Sequence, residues 1–324
     1  IKTYPINVEA VTLRTYSISA GRLPAAQTGS VTVKLNTSIV MLPKEPMQPR
    51  FADDRVGFFQ NSLTEFSDDQ QTTDRGAIIQ RYRLEPKDPE RYRRGQLSEP
   101  KNPIIYYIDP ATPKKWIPYL KAGVEDWNTA FEAAGFKNAI IAKEWPNDPN
   151  MSLDDARYSV IRYLPSETEN AYGPRIVDPR SGEIMESHIC WYHNVMNLLK
   201  KWYMVQCGPL DKRARTMTFD DKLMGSLIQF VSSHEVGHSI GLRHNMAASS
   251  ATPVEKLRTD VCMVMPTAVT PKGNIGFKQL PAGRYAIFLY KGSYEHLQSV
   301  YDTIYGKYIP EMECTFREEA SAER

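Results

Sequence analysis

Between His234 and His244 the sequence reads H-E-x-x-H-x-x-G-x-x-H. His234 and His238 stand four apart, so on a helix both imidazoles face one point. Gly241 can adopt the left-handed conformation that ends a helix and turns the chain back. His244 then supplies a third nitrogen from beyond the helix. Three nitrogens leave the fourth tetrahedral position of a Zn2+ ion open to water, the pattern of a catalytic and not a closed structural site. Glu235 follows the first ligand, where a carboxylate can take a proton from that water and pass it to a leaving amine. A bare H-E-x-x-H arises by chance as a polar helix face, but Gly241 and His244 fall in register as well. Three of the six histidines lie in this segment.

Such a motif needs a rigid helix. Asp220 or Asp221 can cap its start, and Leu223, Leu227, Ile228, Phe230 and Val231 predict an apolar side that packs on a sheet. The sheet is legible upstream. Ile104–Ile108 reads as a buried strand, Trp116–Phe131 as an amphipathic helix ended by Gly135, and Ala139–Ala142 and Tyr158–Leu164 as two more strands. Strand, helix, strand predicts a right-handed crossover and a mostly parallel sheet, an α/β (α+β) fold. Glu183–Trp191 looks extended and is the candidate for an edge strand that pairs with a substrate chain. His188 and His193 lie on or just after it. The motif already supplies three nitrogens, so they read as surface or supporting residues. Val195–Met204 predicts a short helix.

The remainder is organised around this region. Residues 1–95 are β-rich, with strands expected over Val8–Tyr16, Ser30–Leu42, Arg50–Phe59 and Ala77–Leu84, and carry no catalytic constellation. The acidic residues Asp53, Asp54, Asp68 and Asp69 read as solvated loops. Glu85–Lys101 is highly charged and aperiodic, a surface linker whose Arg91, Arg93 and Arg94 can alternatively meet an anion. The chain of 324 residues is 41% hydrophobic and carries a net charge of +2, which argues for a globular protein without a nucleic-acid bias. No apolar run approaches the ~20 residues of a membrane span; the sequence starts at Ile1 without a basic-then-apolar leader, as an excised piece or a mature form does. Cys190 and Cys207 flank one segment; they read as buried thiols, or as a disulfide in an exported protein.

The segment His234–His244 carries the metzincin signature. Together with Ile104–Asp109, Trp127–Phe136, Val177–Ile184 and Ser233–Asn245, it makes residues 1–258 resemble the bacterial Met-zincin family. That resemblance implies a zinc metallopeptidase domain (residues 96–258) with a twisted sheet, an active-site helix and a Met-turn beneath the metal, following a β-rich region (residues 1–95). It implies His234, His238 and His244 as Zn2+ ligands and Glu235 as general base. It also implies a peptide or protein substrate and an extracellular or cell-envelope location.

From about Asp260 the text changes. Gly273–Phe288, Lys291–Leu297 and Tyr301–Pro310 resemble the second half of a gyrase-inhibitor-like effector-binding domain, giving a partial domain over residues 259–324. Its strand and helix leave an edge and an apolar face to be covered. Met263 or Met265 can still lie under the metal, or both can be core residues of the appended piece. Two alternatives to an active peptidase follow. One is a zinc-binding protein with an impaired site. The other is a small-molecule module in which Tyr285, Tyr294 and Glu295 face a cationic ligand.

Overall fold

A computed structural model describes residues 1–19, 25–53, 55–208 and 211–244. The chain divides into two compact units. The first comprises Ile1–Lys200 with Phe219–Asn245, and the second Lys201–Thr218 with Met246–Arg324. The gyrase-inhibitor-like segment, Met263, Met265, Tyr285, Tyr294 and Glu295 lie outside the described residues. Of the second unit, the end of one helix and a 3-10 turn at Lys212–Arg215 are described, the turn capped by the Asp211 side chain.

The first unit begins with β-structure. Strands β1 (Lys2–Thr3), β2 (Asn7–Ser17) and β3 (Ser30–Val40) form one antiparallel sheet, with a short helix α1 (Ala25–Thr28) between β2 and β3. β4 (Gln60–Glu65) and β5 (Asp74–Ile79) form a separate hairpin. The expected strand over Arg50–Phe59 is absent. Its ends make only single bridges, Phe51 to Ile78 and Phe58 to Leu242, because Pro49 and Gly57 interrupt a continuous ladder. The charged stretch Glu85–Lys101 is not a plain linker. Asp88 caps helix α2 (Pro89–Arg93), and backbone bonds from Lys87 to Glu99 and from Lys101 to Glu85 close the stretch at its base. Arg93 pairs with Glu90, and Arg91 donates to the Leu97 carbonyl, so these arginines are engaged locally.

The central sheet is mostly parallel. β6 (Ile104–Ile108), β7 (Ile140–Glu144), β8 (Ser159–Leu164) and β11 (Ile184–Tyr192) run parallel in the order β7-β6-β8-β11. Two short strands, β9 (Ala171–Tyr172) and β10 (Arg175–Val177), pair antiparallel with β11 beyond it. β11 therefore lies inside the sheet, and the edge belongs to β9 and β10. The sequence reading of β11 as the edge fails because β9 and β10 are too short to carry a periodic signal.

Helices α3 (Ile117–Glu125) and α4 (Asn128–Ala133) replace the single expected helix. The break at Asp126–Trp127 follows tertiary demands. The Trp127 indole donates to the Ser233 carbonyl at 2.8 Å, and the Asn128 side chain bonds the backbone of Ala139 and Ile140. Helix α5 (Val195–Cys207) leads out of the first unit, and α6 (Asp221–Ser239) returns to it. Asp220 caps α6, accepting from the Leu223 amide at 2.8 Å. One face of the sheet and α6 form the core through Tyr106, Ile108, Ile189, Trp191, Leu223, Ile228 and Val236. Phe230, expected on the apolar side, is 69% exposed. Cys190 on β11 is a free, half-buried thiol, so the bridge to Cys207 is not formed.

Candidate metal centre

The last turns of α6 carry the motif. Asp220 anchors the helix start, and burial of Ile228 and Val236 fixes its rotation, so His234 and His238 face the same side. Gly237 lets the helix lie close to α3–α4: a methyl group there would meet the Trp127 ring at 2.7 Å. The helix ends at Ile240, and Gly241 follows with φ +113°. A side chain at Gly241 would also run into the carbonyl oxygen of Gln80. Only glycine meets both demands.

The exit from Gly241 is held by chain from the N-terminal region. The Phe59 amide donates to the Gly241 carbonyl and the Arg243 amide to the Gly57 carbonyl, both at 2.8 Å. The Gln80 amide in turn donates to the Phe59 carbonyl. These bonds carry the chain around to His244.

The three histidines converge as the sequence predicts. Their Nε2 atoms lie 3.1 Å (His234–His238), 3.0 Å (His238–His244) and 3.1 Å (His234–His244) apart. A tetrahedral zinc with Zn–N near 2.0–2.1 Å separates its ligand atoms by about 3.3 Å, so the set fits one ion. Among the described residues this is the group of three or more ligating side chains that meets at one point. The His238 Nδ1–H donates to the Leu242 carbonyl at 2.8 Å, which leaves the Nε2 lone pair for a metal. Burial, and then the two neighbouring imidazoles, push His234 down to about 4. Burial likewise lowers His238. These two imidazoles are thus biased to the neutral form that ligation requires.

Glu235 is 6% exposed and lines the same pocket of about 380 Å³. Burial pushes its carboxyl up to about 7. A dication at the histidines would stabilise the carboxylate and draw that value down. The other walls are Phe59 and the edge residues Asn170 to Arg175. Hydrogen bonds to Tyr192 and Cys190 hold the Tyr172 phenol well above its ordinary range, so it remains a donor.

Sequence reasoning missed Arg175, Gln80 and Phe59. The Arg175 guanidinium lies 3.8 Å from the Phe59 ring centroid, donates to Gln80 Oε1 at 2.6 Å and reaches the His238 carbonyl at 3.3 Å. It thus adds a cationic donor at the negative end of α6, to a carbonyl that also accepts from the Gly241 amide. Phe59 stands edge-on to the His238 ring, with centroids 6.0 Å apart. Neither an isolated Arg in a loop nor a Phe pair near the N-terminus carries a local signal of this. His188 and His193 stand outside the cluster. His188 lies beside Glu186, and His193 Nδ1 bonds the Tyr163 hydroxyl at 2.6 Å.

Two family models match the chain. One, described as Met-zincin, covers residues 216–266, from just before α6 through Met263 and Met265, and so reaches past the point near residue 258 where the sequence resemblance ends. The other, a domain of unknown function (DUF5117), covers residues 1–87. No curated protein and no solved structure matches. No helix among the described residues is long and apolar enough to cross a membrane.

Proposed function

We propose that this chain is a zinc-dependent endopeptidase, with His234, His238 and His244 as the metal ligands and Glu235 as the general base. The observation that carries the reading is the meeting of three imidazole Nε2 atoms with a buried carboxylate in a cleft beside a sheet edge. The Met-zincin match over the same segment supports it. The proposed division of the chain near residues 95 and 258 belongs to this reading, as does an extracellular or cell-envelope location.

In this mechanism a peptide extends along the β9–β10 edge and pairs with its backbone. Bound zinc supplies Lewis-acid polarisation and a lowered water pKa. Glu235 takes a proton from the attacking water as the carbonyl becomes tetrahedral, then gives it to the departing amine nitrogen. Burial raises the basicity of the Glu235 carboxylate, which favours its role as proton acceptor. The His238 Nδ1–H bond to Leu242 holds that imidazole in the ligating tautomer throughout. The test is a Glu235→Gln chain loaded with zinc and offered unfolded protein. Hydrolysis should vanish while one zinc per chain remains; hydrolysis at the unsubstituted rate removes the assignment.

A further inference from the structure

The opposite face of the sheet holds a second cavity, of about 330 Å³. Pro174 and Arg175 of the edge line both this cavity and the histidine pocket. Its other walls come from two parts of the chain and include Glu9, Asn36 and Ser38 of β2–β3, and Asp154, Arg162, Glu186 and His188 of the central region.

Two buried carboxylates dominate it. Glu9, 4% exposed, accepts from Asn7 Nδ2 at 2.6 Å, Asn36 Nδ2 at 2.5 Å and Ser38 Oγ at 2.6 Å. These neutral donors hold the charge without cancelling it. Glu186, also 4% exposed, sits opposite Ile176 of the edge, and its Oε1 has no hydrogen-bond donor. His188 Nε2 approaches that oxygen to 2.9 Å but off the line of a hydrogen bond, and it too is without a partner. Two guanidinium groups also line the cavity, and neither donates to Glu186 Oε1. Arg162 pairs with Asp109, and Arg175 turns to Gln80 and the His238 carbonyl. Glu186 Oε1 is therefore a buried acceptor in the cavity wall that no donor meets, an arrangement costly to leave unmatched.

We propose that this cavity is a specificity subsite for a basic side chain, lysine or arginine, of the peptide lying on the β9–β10 edge. The proposal rests on the peptidase reading. A chain added to the edge sends alternate side chains to opposite faces of the sheet. One set enters the histidine pocket; the other passes over Pro174 and Ile176 toward Glu186. A cationic head group brings both the charge and the N–H donors that Glu186 Oε1 lacks. A metal ion fits less well, because three convergent protein ligands are found only at the histidine cluster among the described residues.

The test uses the full chain as a zinc-loaded Glu235→Gln variant, with labelled peptide hydroxamates carrying lysine or its neutral isostere norleucine at each position in turn. At one position lysine should bind about tenfold or more tighter, and that advantage should collapse when Glu186→Gln is added. Equal binding at every position, or a lysine preference that survives Glu186→Gln, overturns the proposal. Should Glu186→Gln fail to fold, Asp154→Asn at a side chain 39% exposed should shrink the same difference. The two readings separate cleanly. If the unsubstituted chain cuts no peptide while the lysine preference holds, the peptidase reading falls and the subsite stands. Cleavage with no basic preference removes the subsite alone, and no hydroxamate binding at all removes both.

Discussion

The motif helix is held in two different ways along its length. Its middle, from Leu223 to Val236, is gripped by apolar contact with the sheet and α3. Its end, from His238 to Arg243, is pinned by directional bonds from Phe59, Gly57 and Arg175 and by a backbone turn open only to glycine. Apolar packing tolerates small changes of shape, whereas a hydrogen-bonded turn beside three convergent ligands does not. The middle should therefore govern whether the protein stays folded, and the end whether it holds metal.

The largest expected effect is at the end. His238→Ala should take zinc content from one per chain to near zero by metal analysis, and remove the thermal stabilisation that added zinc gives the unsubstituted chain. Glu235→Gln should lower peptide hydrolysis by about 10²–10⁴-fold with zinc retained, which separates chemistry from ligation in one turn of helix. The comparison is sharpest between Ile228→Ala and Gly241→Ala. Ile228 is 1% exposed, and its truncation should cost about 2–5 kcal/mol in denaturant unfolding with unchanged zinc affinity in the folded fraction. Gly241→Ala should cost at least about 2 kcal/mol and also weaken zinc in chelator competition. If both variants lose zinc equally, the distinction between middle and end fails.

A smaller effect concerns pH. The Glu235 carboxyl rises on folding from its ordinary value to about 7, so protonation favours the folded metal-free chain below the ordinary carboxylate range, and that contribution is lost as pH rises toward 7. His234, lowered to about 4, has the opposite sign, its cost appearing as pH falls from about 6.5. Metal-free Glu235→Gln should accordingly gain on the unsubstituted chain between about pH 4.5 and 7, by up to about 3 kcal/mol. A constant gap in urea midpoints across that range would show that burial does not govern this carboxyl. The smallest expected effect is Arg175→Lys, which keeps the charge but loses the fork that joins Gln80 to His238. We expect a loss of about 1–2 kcal/mol and a measurable drop in zinc affinity.

The same contrast explains what could be read from the chain. The middle announces itself through the spacing of Leu223, Leu227 and Ile228, and the parallel strands through their apolar runs. The ligand spacing is local too, so the convergence of His234, His238 and His244 was legible. The edge was not. Ala171–Tyr172 and Arg175–Val177 are broken by Gly173 and Pro174 and too short to alternate, so β11 looked like the outermost strand. Arg175, Phe59 and Gln80 escaped because their partners are distant in sequence, and Glu9 because two of its three donors, Asn36 and Ser38, are brought to it by strand pairing. The helix broken at Trp127 shows tertiary bonding overriding a good amphipathic pattern.

The pairing of Phe58 with Leu242 closes over roughly 180 residues of intervening chain. During synthesis the early segment emerges long before the motif, and it must be in place before the turn at Gly241 can settle. A product lacking its first 60 residues would retain every ligating histidine yet have no template for the exit turn. Formation of the three-histidine cluster is thereby tied to completion of the N-terminal region, and expression of the histidine-bearing half alone should yield a chain that captures metal poorly.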